Sequence, residues 1–139
     1  MTRGDFKRLS RLRLQEATLL VKRKRFAPGA YYLAGYAVEC GLKACIAKKT
    51  RQYEFPDRDR LRDAYVHNLT KLVSVADLQP ALDRETRADR DFDVNWTTVK
   101  DWTEESRYDA AIDTRKAQSL ITAISDPRHG VMRWIHRFW

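Results

Sequence analysis

The sequence predicts an all-α fold, an antiparallel bundle of four to five helices forming a single domain over residues 1–139. Three observations predict it. Apolar residues recur at spacings of three and four along most of the chain, and no run alternates with the period of two that a half-buried strand needs. One stretch, Ala30 to Ala47, is apolar almost all round, the mark of a helix at the centre of a core. A length of 139 residues suits one domain with a core of its own.

Residues 5–24 read as the first helix. Arg8, Arg11, Gln15, Thr18 and Lys22 form its polar stripe, and Phe6, Leu9, Leu12, Ala17, Leu20 and Val21 spread over the other side. Arg13 enters that apolar arc and is expected to snorkel. Pro28 and Gly29 interrupt the pattern, and Pro28 suits the first turn of a second helix. That helix is not a membrane span: Glu39 and Lys43 sit near its middle, and its bulk comes from Ala, Gly and Tyr. Its small residues, among them Ala34, Gly35, Ala37, Gly41 and Ala44, let neighbouring helices approach closely. Glu39 and Lys43 are an i,i+4 pair, either a local ion pair on the exposed strip of this helix or the edge of a ligand cleft. Cys40 and Cys45 stand about 7.5 Å apart along the helix, too far for a disulfide, and read as small buried thiols.

Residues 48–66 are charged, contain Pro56 and read as a loop with a short helical turn. A helix runs from His67 or Asn68 to Ala76, with Leu69, Leu72 and Val73 inward. Pro80 starts a segment anchored by Leu82, and Val94, Trp96, Val99 and Trp102 mark another short helix. The stretch from Thr103 to Ile112 reads as a loop. Asp113 is a good N-cap for residues 114–125. Ala117, Leu120, Ile121, Ile124, Val131, Ile135 and Phe138 form one stripe that Pro127 interrupts. Either the helix kinks there, or Asp126-Pro127 caps it and starts a new one. The closing Trp134, Phe138 and Trp139 dock either across a two-fold seam or onto the chain's own core. The quantity of apolar helix surface favours the former, a homodimer in which the C-terminal helix takes part.

The net charge is +8 and the isoelectric point near 9.7. Residues 1–25 carry nine basic and two acidic side chains, residues 26–76 a net +3, residues 77–109 a net −5 and residues 110–139 a net +3. This asymmetry favours an anionic partner, nucleic acid or nucleotide. Composition argues against collagen-like, disordered and disulfide-stapled chains. No secretory signal is readable in MTRGDFKRLSRLRLQ, so a cytoplasmic location is expected. There is no glycine-rich phosphate loop, HExxH, CxxC or GxSxG. His67, His129 and His136 lack the spacing and acidic partners of a zinc site, so neither a metal nor another cofactor is expected.

The stretch Arg25-Phe26 followed by Ala30-Tyr31-Tyr32-Leu33-Ala34-Gly35-Tyr36-Ala37-Val38-Glu39-Cys40-Gly41-Leu42-Lys43-Ala44 resembles the first two helices of HEPN domains (higher eukaryote and prokaryote nucleotide-binding). His67-Asn68-Leu69-Thr70-Lys71-Leu72, and Ser106-Arg107-Tyr108 ahead of a long C-terminal helix, fit the same resemblance, which spans residues 20–139. It implies an antiparallel helical bundle, commonly dimeric. Members occur beside or fused to nucleotidyltransferases, in toxin–antitoxin or defence systems, and many are metal-independent RNases. Their signature is Arg, four to six residues, then His, near the start of the last long helix. Here Arg128 to His136 leaves seven between and Arg133 to His136 leaves two, so the signature is missing from that position. Arg62 and Arg60 stand at matching distances from His67, but ahead of a middle helix, where the family does not keep its pair.

The candidate site residues follow. Arg107 suits a phosphate and Tyr108 a nucleobase; alternatively Arg107 pairs with Glu104 or Glu105 and Tyr108 packs its loop onto the bundle. Glu39, Lys43 and His67 join them as nucleotide- or RNA-binding candidates. Arg128 falls on the inward stripe between Ile124 and Val131, where Glu39 is its candidate partner. His129 beside it has the residue type for acid–base work, with an unperturbed pKa of about 6.5. Arg128 and His129 are the first catalytic candidates, Arg62 with His67 the second. Three readings result: a nucleotide- or RNA-binding partner of a minimal nucleotidyltransferase, a metal-independent endoribonuclease with a non-standard Arg/His pair, or a purely structural partner subunit.

Overall fold

Two helices, Arg3–Leu20 (α1) and Ala27–Lys49 (α2), form an antiparallel hairpin at the heart of the computed structural model, which describes residues 1–50 and 62–139. Thr2 starts α1 with a reciprocal cap: its side chain accepts the Asp5 N–H, and the Asp5 carboxylate accepts the Thr2 N–H. The tight 3₁₀ turn Lys24–Phe26 then reverses the chain, and Pro28 occupies the first turn of α2, where its missing N–H costs nothing. Leu69–Val75 (α3), Gln79–Ala88 (α4), Arg90–Lys100 (α5), Thr114–Ser125 (α6) and Val131–His136 (α7) complete the bundle, with a second 3₁₀ turn at Glu104–Tyr108. No strand occurs among the described residues. The all-α class is as expected; the helices lying wholly within those residues number seven rather than four or five.

The core forms around α2, against which α1, α3, α6, α7 and the Glu104–Tyr108 turn all pack. Small residues make this possible. The buried Ser10 hydroxyl donates to the Ala37 carbonyl at 2.7 Å, and a Cβ on Gly41 would stand 3.2 Å from Ile135 and 3.4 Å from Ser10. Gly35 is tighter still: the Trp102 indole lies so close that a Cβ there would sit 2.2 Å from three of its ring atoms. Both cysteines are free and buried, and burial pushes each thiol up to about 11. Among the described residues no helix is long and apolar enough to cross a membrane.

Several expectations need correcting. Glu39 is itself buried, only 1% of it accessible, although its neighbours Tyr36 and Lys43 on the same face of α2 are half-buried. In α5 the inward residues are Phe92, Trp96 and Val99, while Val94 is exposed, because Asp89 caps the helix and so sets its rotation. The stripe through Ile124 and Val131 is carried by two helices, not one. The Asp126 carboxylate accepts the N–H groups of both Arg128 and His129 at 2.8 Å, and the turn closes at Gly130, where a Cβ would meet the Asp126 carbonyl at 2.4 Å. Arg128 therefore leaves the inward stripe and lies exposed, away from any pairing with Glu39. Trp134 and Trp139 are buried in the chain's own core, Trp134 packing between Phe92 and Phe138. The aromatic end thus closes the chain's own bundle. Most of the charged loop, Arg60 and Pro56 included, lies outside the described residues.

Candidate functional site

Tyr32, Tyr36, Glu39 and Lys43 recur at spacings of three and four on α2 and so share about 60° of its circumference. Away from its ends α2 is mostly enclosed, but on this strip Tyr32, Tyr36 and Lys43 are half-buried. Each residue has a partner that fixes it. The rings of Tyr32 and Tyr36 lie parallel within 3°, centroids 6.0 Å apart, and Tyr32 leans on the Trp102 indole at 6.1 Å. Burial, then the neighbouring Cys40 thiol, pushes the Tyr36 phenol up to about 12. Arg13 of α1 stands beside this strip, held by Glu16 at 2.7 and 2.8 Å, so its stem does not simply snorkel.

At one end of the strip lies the Glu104–Tyr108 turn. The Arg107 guanidinium carbon sits 4.9 Å from the Tyr108 ring centroid, and the Tyr108 and Tyr32 hydroxyls raise the arginine's pKa, Tyr108 more strongly. Tyr108 is 74% exposed, so it does not pack its turn onto the bundle. It presents an open aromatic face backed by a cation. At the other end, Lys43 Nζ and His67 Nδ1 both meet Glu39 Oε1, at 2.7 and 3.0 Å, while Oε2 is buried with no partner among the described residues. Asn68 brings His67 there by capping α3 through the Lys71 N–H. With Nδ1 donating to the carboxylate, Nε2 is the nitrogen of the half-exposed ring left to accept. The fold thus gathers Glu39, Lys43 and His67 into one cluster and sets Arg107 near Tyr32 of the same helix face, with Tyr108 exposed beside it. Tyr32 and Tyr36 escaped the sequence reading, though their i,i+4 spacing in register with Glu39 and Lys43 was a usable signal.

His129 stands elsewhere, in a clasp between the start of α5 and the α6–α7 turn. Its Nδ1 is 2.6 Å from Asp89 Oδ2, its Nε2 3.7 Å from Asp91 Oδ2, and its carbonyl accepts from Asn95. The histidine therefore has the acidic partners that sequence spacing did not reveal, and these three side chains are close enough together to share an ion. A protonated imidazole also offsets one of the two carboxylate charges without an ion. Arg128 lends it only its backbone N–H, to Asp126, and its carbonyl, to Arg133. His136 stacks on Trp139 at 4.0 Å, and burial lowers its pKa.

The hydrogen bond to Asp89, then the surrounding carboxylates, raises the His129 pKa above 6.5, and the same contact lowers that of Asp89. A raised histidine pKa stabilises the fold fully below the unfolded value and is lost as pH rises through the folded one. The lowered Asp89 value acts oppositely, present above the unfolded value and lost in acid. The clasp is accordingly strongest between about pH 4 and 6.5. Thermal melts of wild type and His129→Gln are expected to differ most in that window and to converge toward pH 9; a constant gap contradicts the assignment.

Comparison of the chain with protein-family models, with curated proteins and with solved structures finds no match.

Proposed function

We propose that this chain is a HEPN-like domain that binds single-stranded RNA or a nucleotide along the open strip of α2. The observation that supports this most directly is the alignment of Tyr32, Tyr36 and Lys43 along one face of α2, with the His67 ring at one end and Arg107 beside the Tyr108 ring at the other. Aromatic faces stack bases regardless of sequence, and flanking cations take the phosphates. From Tyr32 to Lys43 the strip spans about 16 Å, longer than one nucleotide, which favours an oligonucleotide. The net charge of +8 favours the same partner.

Fluorescence anisotropy with a short single-stranded RNA at 50 and 200 mM salt tests this reading. Binding is expected to weaken with salt. Arg107→Ala should reduce the slope of log affinity against log salt by about 0.7, one phosphate contact on a single strand. Tyr108→Ala should weaken binding by about tenfold, one lost stacking partner. RNA that fails to bind even at low salt removes the proposal.

The endoribonuclease reading is favoured by one observation, the Glu39–His67 contact through Nδ1 in a half-exposed ring. Such an imidazole can take the 2′-hydroxyl proton or protonate the leaving oxygen without a metal. On that reading His67→Ala abolishes RNA cleavage in EDTA, whereas cleavage surviving His67→Ala and His129→Ala together excludes both histidines. Two further proposals extend the HEPN resemblance: association with a minimal nucleotidyltransferase in a toxin–antitoxin or defence system, and a homodimer. The exposed Leu12 and Leu19, seven residues apart on one face of α1, support a seam there. Light scattering tests the dimer: a mass twice 16.4 kDa is expected, and a clean monomer at micromolar concentration contradicts it.

A further inference from the structure

The most basic stretch of the chain, residues 1–25, contributes to the strip only Arg13 beside it. Its two acids are both engaged: Asp5 pairs with Arg8, and Glu16 with Arg13 at 2.7 Å. Lys7 and Arg11 have no carboxylate partner among the described residues. They stand four positions apart on one face of α1, both over the Trp139 ring, at 5.2 and 4.9 Å from its centroid. Like charges so placed repel. Their field reaches the neighbouring His136, where Arg11 and then Lys7 add to burial in lowering the imidazole pKa. An anionic group arriving here relieves the repulsion.

These cations border a groove of about 650 Å³ between α1 and the α6–α7 corner. Half-buried Leu14, buried Met132 and the exposed Leu19 give it an apolar wall, Arg11 and His136 stand on its rim, and no acidic side chain among the described residues lines it. From Ser10 to Leu19 it follows α1 for about 14 Å, two and a half helical turns. Charge alone suits RNA as well as protein; the walls decide between them. Trp139 is buried, with His136 stacked on it at 4.0 Å and two cations over it, so its ring is not free to stack a base. Leu14, Leu19 and Met132 call instead for apolar side chains, which an amphipathic helix supplies at spacings of three and four, with carboxylates on its flanks. A second copy of this chain offers no such stripe: of the large apolar residues in its acidic helices α4 and α5, Leu82, Phe92, Trp96 and Val99 are buried and only Val94 is exposed. We propose that this groove receives an acidic amphipathic helix of a partner protein, its apolar stripe on Leu14, Leu19 and Met132 and its carboxylates beside Lys7 and Arg11. The site is independent of the RNA-binding strip.

Fluorescence anisotropy of the intact chain with a labelled helical peptide of about sixteen residues, Leu at spacings of three and four and Glu elsewhere, tests it. Saturable binding that weakens with salt is expected. Ser in place of the Leu stripe, or Lys in place of Glu, should abolish it. In the chain, Gln15→Glu with Thr18→Glu changes two exposed residues of the groove, and its fold is checked by circular dichroism. It should weaken binding by about tenfold or more, two like charges now facing the peptide, and Arg11→Gln should weaken it by about fivefold. Leu12→Gln and Arg107→Ala should leave it unchanged, since neither residue lines the groove. The proposal is overturned if the Leu–Glu peptide does not bind at low salt, if the Ser-substituted peptide binds as tightly, or if the double variant binds like wild type. Loss of binding in Leu12→Gln overturns it too, placing the peptide on the seam face of α1. Single-stranded RNA that displaces the peptide from wild type and Arg107→Ala alike also overturns it, by making the groove an RNA surface.

Discussion

Replacing Gly35 with alanine is expected to lower the melting temperature by roughly 10 °C, the equivalent of about 3 kcal/mol in a domain of this size. The new methyl would stand 2.2 Å from Cδ2, Cε2 and Nε1 of Trp102, well inside van der Waals contact. Trp102 is 1% exposed, so its rigid ring has nowhere to go without moving α2 or the turn after α5. Tyr32 leans on the same indole, so the substitution should disturb the strip as well as the core. A smaller partner tests the cause: Trp102→Leu in the Gly35→Ala background should cost less than the two changes summed, since both act on one contact. An unchanged melting temperature for Gly35→Ala would show that the indole is not seated on the glycine.

Lys43→Ala is expected to cost about 3 kcal/mol in urea denaturation at neutral pH, because it leaves a buried carboxylate without its nearest counter-charge. Glu39 is 1% exposed and one of its oxygens already has no partner among the described residues, so the His67 ring would be its one remaining side-chain contact among them. Glu39→Gln should cost clearly less. It removes the charge that is expensive to bury, and the side chains of Lys43 and His67, 14% and 45% exposed, turn to water more readily. The order of the two variants is the diagnostic result. If Glu39→Gln proves the more damaging, the carboxylate acts through its charge on Lys43 and His67 rather than as a burden they neutralise.

Much of this was legible from local pattern. The broad apolar run of α2, the Asp113 cap of α6 and the inward Leu69, Leu72 and Val73 of α3 are decided by a few neighbouring residues, and spacing reads them well. Three features were not: one depends on the geometry of a local turn, and two on contacts distant in sequence. Asp126 takes two backbone N–H groups just past Pro127, which ends α6 outright and turns Arg128 outward. Asp89 fixes both the rotation of α5 and the orientation of His129, forty positions away. Glu39 draws in His67 from across the loop, which a wheel of α2 alone cannot show. The site residues Glu39, Lys43 and His67 were chosen for their chemistry one by one; that they meet at a single oxygen emerges only in three dimensions.

The account rests on the strip of α2 being the surface that meets RNA. Carbon–proton correlation spectra of the tyrosine rings, recorded while a short single-stranded RNA is titrated in at low salt, test it most directly. The chain has six tyrosines, of which Tyr32 and Tyr36 stand on the strip and Tyr108 is exposed beside Arg107, while Tyr31 is buried beside Lys116. The account predicts that the resonances of Tyr108, Tyr32 and Tyr36 shift together and saturate with one affinity, and that Tyr31 stays in place. RNA that binds while those three rings remain unperturbed would contradict it.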